Sequence, residues 1–126
     1  VNEADHKRKL VAEINSLRGG RARRVEDRWA VGVLDLILKL PNHPLMFGEG
    51  KVVIGQKFGP TERQWVEGEH WIFAGVPAVL IGWKSKMMAV SPWVRWTDWD
   101  RCHIGLDNVE TLMEYLRNGR KDQRAV

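Results

Sequence analysis

Three features of this sequence predict a mixed α/β fold in which helices cover a small central sheet. Apolar residues recur at helical spacing in three stretches, leucine-rich and β-branched runs of strand length lie between them, and turn residues mark each change of period. With 126 residues the chain has room for one hydrophobic core, so residues 1–126 are read as a single domain. A composition of 44% hydrophobic and 29% charged residues excludes a disordered tail or a fibrous repeat.

Leu10, Val11, Ile14 and Leu17 mark a first helix over residues 4–17, which Gly19 and Gly20 stop. By the 100° rule Glu3 lies on the Leu10/Ile14/Leu17 side of that helix and Glu13 at its edge, so either can point inward. Residues 29–40 read as a strand, Pro41-Asn42-His43-Pro44 as a turn and residues 45–54 as a returning strand. Inside that second strand, Gly48-Glu49-Gly50-Lys51 disfavours β-structure unless something specific occupies the site, which marks a functional candidate.

After a loop at 55–60, Thr61-Glu62-Arg63-Gln64 has the spacing of a capping box and opens a second helix reaching about Ala74, with Gly75 as its cap. Residues 76–83 form a short apolar run read as a buried third strand, and Lys84-Ser85-Lys86 turns the chain into a fourth at 87–90. A Trp-rich segment and a final helix occupy about 91–119. Asp107-Asn108-Val109-Glu110 starts the helix, Val109, Leu112, Met113 and Leu116 form its stripe and Gly119 ends it. The tail at 121–126 is expected to fray.

No apolar stretch approaches the ~20 residues of a membrane helix. The polar, acidic start is unlike a secretory leader. The lone Cys102 excludes an intramolecular disulfide and a multi-cysteine zinc site and favours a reducing, cytoplasmic compartment. Twenty Lys plus Arg against sixteen Asp plus Glu give a net charge of +4, an excess that helps attract a polyanion. Arg18, Arg21, Arg23, Arg24 and Arg28 crowd one segment, read as a basic loop over about 18–28 that is either simply solvated or in contact with nucleic-acid phosphates.

Asp35 is a lone carboxylate in an apolar run and needs a cation or donors nearby. Glu49 and Lys51 leave one face of the next strand, and a hairpin brings Asp35 opposite them if it pairs with position 49 or 51, which requires an odd turn or a bulge. Two carboxylates and an ammonium then converge, a set that suits a hard cation such as Mg²⁺ and phosphodiester hydrolysis.

Gly32-Val33-Leu34-Asp35 followed by Glu49-Gly50-Lys51 resembles the PD-(D/E)XK nuclease superfamily. With the hairpin, the helix opening at Thr61 and the Ala74-Gly75-Val76 step into an apolar strand, the chain looks like the VRR-NUC family of small nucleases over about residues 3–90. The resemblance implies a restriction-endonuclease-like fold and a Mg²⁺- or Mn²⁺-dependent endonuclease acting on branched or structured DNA as a homodimer. It implies Asp35 and Glu49 as metal ligands, a metal contact from the Gly50 carbonyl, Lys51 as the catalytic lysine, Gln64 near the active site and Glu3, rather than Glu13, completing it. Leu34 stands where the family has Pro, and Gly50 where it has an apolar residue.

Gln64 is also the N3 partner of Thr61, and the two roles are compatible. Trp71 shares the Gln64 side of the second helix and is expected at the border of the cleft, as a nucleic-acid contact. Trp83, Trp93, Trp96 and Trp99 read as core or interface residues ahead of base-stacking ones. The rival readings are a noncatalytic nucleic-acid-binding module on the same fold and an assembly protein using the Trp-rich segment.

Overall fold

The structure, a computed structural model, describes residues 2–25 and 34–119. Helix α1 (Glu3–Asn15) begins at Asn2, whose side chain accepts the Asp5 amide, and turns Lys7, Leu10 and Ile14 inward. Strands β1 (Arg21–Arg24), β2 (Leu36–Lys39), β3 (Met46–Val52) and β4 (Lys57–Phe58) precede helix α2 (Glu62–Phe73). Strands β5 (Ala78–Lys84), β6 (Met87–Pro92), β7 (Thr97–Asp98) and β8 (His103–Gly105) follow, then helix α3 (Asn108–Glu114) and a π-turn at Tyr115–Gly119.

Six strands form one sheet in the order β1-β2-β3-β5-β6-β8. All neighbours are antiparallel except β3 and β5, which run parallel because α2 lies in the crossover between them. β4 and β7 pair separately. β5 is central and buried on both faces, which explains its unbroken apolar sequence. On one face Leu10 and Ile14 of α1, with Leu112, Tyr115 and Leu116, pack on Leu36, Leu38, Ile81, Trp83 and Val90. The second cluster joins Leu34, Val53, Phe58, Leu80, Ala89, Trp93 and Trp99.

The predicted hairpin, the two later strands and all three helices are present, with ends moved by a few residues. The basic segment read as a loop is in part a strand: Arg21–Arg24 pairs with β2, because edge pairing leaves Arg21 and Arg23 in solvent while Ala22 alone goes inside. Arg28, residues 29–33 of the first predicted strand and the 121–126 tail lie outside the described residues. Trp83, Trp93 and Trp99 belong to the core, whereas Trp96 is exposed with the Lys57 ammonium over its ring. Among the described residues no helix is long and apolar enough to cross a membrane.

Helix α2 approaches the body of the protein through Gly68, its one buried residue. A Cβ there meets the Trp93 indole at 2.2 Å, and that indole donates to the Trp65 carbonyl. Gly68→Ala is therefore expected to destabilise the fold by about 1–3 kcal/mol, although alanine is the better helix former by about 1 kcal/mol. Urea unfolding measures the sign.

Candidate active site

The β2–β3 register pairs Leu36 with Gly48 and Leu38 with Met46, an odd number of residues lying between the last pair, so Asp35 comes opposite Glu49. Past the Leu36–Gly48 pair the strands no longer bond to each other by backbone alone. The Asp35 amide donates to Glu49 Oε1 at 3.3 Å, and the Gly50 amide donates to Asp35 Oδ1 at 3.2 Å. Each carboxylate thus caps the other strand's backbone. Leu34, where the resembled family has proline, anchors the approach to Asp35 in the second core cluster at 1% exposure.

Glu49 is also 1% exposed, which is the dominant fact about it. Burial, and then the neighbouring Asp35 charge, push its pKa up to about 8, against the pull of Lys51 and Lys7. The Lys51 ammonium stands 3.6 Å from Glu49 Oε2, and its side chain is 23% exposed, so it faces both the carboxylate and the solvent. On the other side of the hairpin, the Lys7 ammonium contacts Asp35 Oδ2 and donates to Glu3 Oε2 at 3.0 Å. Glu3 Oε1 accepts the Val52 amide at 3.1 Å. Burial works against both charges, but Asp35 and Glu3 together hold the Lys7 pKa above its usual value, while Lys7 and the Val52 amide hold that of Glu3 below.

This arrangement gathers Glu3, Asp35, Glu49, Gly50 and Lys51 at one end of β3. Lys7 joins them and was not singled out from the sequence, although positions 3, 7, 10 and 14 form one helical stripe. Among the described residues no cluster of three or more His, Cys, Asp or Glu side chains forms a cage for a metal. Two carboxylates that repel each other fit a hard divalent cation that retains several waters.

No protein-family profile matches the chain, and no curated protein matches it. A solved structure shares its fold. It is that of Archaeoglobus fulgidus Hjc, a Holliday junction resolvase from an archaeal hyperthermophile, with a TM-score of 0.55 and 14% identity. The match covers 71% of this chain and 75% of that one. The mixed sheet flanked by helices is accordingly the restriction-endonuclease-like core expected above.

The remaining candidates lie around the cluster. Gln64 completes the capping box: its Oε1 accepts the Thr61 amide at 2.8 Å and its own amide donates to Thr61 Oγ1. Among the described residues its side chain makes no hydrogen bond to Asp35, Glu49 or Lys51. The Trp71 ring lies 4.6 Å from that of Phe47, which shares the β3 face of Glu49 by alternation, and its indole donates to Glu67. Trp71 therefore ties α2 to the sheet beside the site while remaining 37% exposed. The Val25 amide donates to the Asp35 carbonyl at 2.9 Å, so β1 runs to the site with Arg21 and Arg23 exposed along the sheet edge and Arg18 exposed in the turn before it. An apolar cavity of about 440 Å³ between Met46, Ala78, Trp93 and Tyr115 lies at the opposite end of β3; among the described residues no carboxylate lines it.

Proposed function

We propose that this chain is a Mg²⁺- or Mn²⁺-dependent endonuclease that hydrolyses phosphodiester bonds in branched DNA, such as junctions or flaps, during replication, repair or recombination. The observation that carries this reading is the interlock of Asp35 and Glu49 across the hairpin with Lys51 beside it, on a fold shared with a Holliday junction resolvase. The VRR-NUC resemblance of the same residues points to the same chemistry.

Asp35, Glu49 and the Gly50 carbonyl are the groups that would hold the ion. A bound cation of this kind would polarise a phosphoryl oxygen and lower the pKa of a bound water. Lys51 supplies a compact positive charge for the oxygens that gain charge during cleavage. Gln64 and Trp71 shape the rim, and Arg18, Arg21, Arg23 and Arg24 bind the DNA backbone along the β1 edge, with Arg28 as a further contact. Symmetric cleavage of a junction needs two such sites, so the proposed enzyme is a homodimer in an intracellular compartment.

The test is incubation of the full chain with duplex, flap and four-way-junction DNA in Mg²⁺, Mn²⁺ or EDTA. Cleavage of the branched substrates in metal, its absence in EDTA and binding that weakens steeply with salt are the expected results. Salt-sensitive binding without cleavage in either metal identifies a noncatalytic module instead, and oligomers that ignore DNA identify an assembly protein.

A further inference from the structure

The placement of Lys7 goes beyond that reading and rests on it. Its side chain is 9% exposed, lies one helical turn after Glu3 and brings a positive charge between Glu3 and Asp35. The stem reaches this position over Gly50: a Cβ at Gly50 comes within 3.0 Å of Lys7 Cε and 2.7 Å of the Trp83 ring. A side chain at position 50 runs into the Trp83 ring and crowds the Lys7 stem, so the glycine keeps this path clear.

What sets the Glu3–Asp35 side apart is the single Lys7 ammonium that the two carboxylates share. Glu3 takes the Val52 amide and Lys7, and Asp35 takes the Gly50 amide and Lys7. A buried ammonium is held this tightly only where opposite charges and hydrogen bonds offset its loss of water. The space where a divalent ion could bridge Glu3 and Asp35 is already filled by a cation.

We propose that Lys7 is a built-in cation that confines the site to a single divalent ion, bound on the Asp35–Glu49–Gly50 side, with Glu3 serving as the anchor of Lys7 rather than as a metal ligand. Lys7 is a positioning residue in this scheme: it fixes the Asp35 carboxylate through its second oxygen.

Mn²⁺ binding to the full chain, counted by electron paramagnetic resonance and calorimetry, tests this without reference to cleavage. One ion per chain is expected for the unaltered protein, and Lys7→Met, which keeps the stem and removes the charge, is expected to bind a second, weaker ion. Adding Glu3→Gln to that variant removes the second ion. Glu3→Gln alone leaves the stoichiometry at one and the affinity within about twofold, a comparison that stands even if Lys7→Met fails to fold. Two ions on the unaltered chain, a tenfold loss of affinity in Glu3→Gln alone, or one ion on folded Lys7→Met overturns the role of Lys7 and leaves the nuclease reading standing. Absence of any Mn²⁺ binding to the unaltered chain overturns both.

Discussion

Lys51→Ala is expected to lower the single-turnover rate of four-way-junction cleavage by about 10³-fold at saturating metal, with unchanged folding. The kinetic loss follows from position. Lys51 is the ammonium that stands beside Glu49 and still reaches solvent, the position from which the proposed enzyme would meet a phosphoryl oxygen as charge develops there. The folding result follows from Glu49, whose pKa of about 8 leaves it mostly neutral at pH 7 in the metal-free chain. Removing a cation from beside a neutral acid costs little, and the partial exposure of Lys51 leaves no sizeable cavity behind. Lys51→Arg is expected to recover less than about a tenth of the rate, because a planar fork does not reproduce a point charge. A rate within threefold of the unaltered enzyme in Lys51→Ala contradicts the assignment.

In EDTA the chain is expected to lose stability as pH rises from about 5 to 8. An unfolded glutamate ionises near 4.5, whereas Glu49 in the fold keeps its proton until about 8. Between those values the native state holds a proton that the unfolded state has released, so each pH unit removes roughly 1 kcal/mol from this group, and the loss levels off above 8. Glu49→Gln abolishes this slope, since an amide never ionises, and it also abolishes metal binding. His6, whose pKa burial lowers, titrates in the opposite sense in both proteins, so their difference isolates Glu49. Thermal melts from pH 5 to 9 in EDTA, for both proteins, measure it: parallel curves contradict the buried, repelled carboxylate described here.

How far the site was legible in the sequence depends on which force placed each residue. The hairpin was readable because alternation permits only one face for Glu49 and Lys51, and Asp35 had to share it; the observed register does that. The Thr61–Gln64 capping box was readable because its bonds are local. β1 was not, since three arginines in four residues look like a solvated loop, and only pairing with β2 makes them a strand. β4, β7 and β8 are two or three residues long and exist through tertiary pairing alone, so no periodicity announces them. Gly50 was noticed as a departure from the resembled family, but its reason lies in Lys7 and Trp83, which are distant in sequence. Lys7 itself carried a signal in the 3, 7, 10, 14 stripe, which places a lysine on the inward face of α1.

The central claim is that Asp35 and Glu49 form one cation-binding pair. Crystals of the full chain grown with Mn²⁺, with data collected at the manganese absorption edge, test it most directly. The account predicts one anomalous peak per chain, about 2.0–2.3 Å from an oxygen of Asp35, an oxygen of Glu49 and the Gly50 carbonyl. No peak between the two carboxylates at saturating Mn²⁺, or a peak coordinated by Glu3 in place of Glu49, contradicts it.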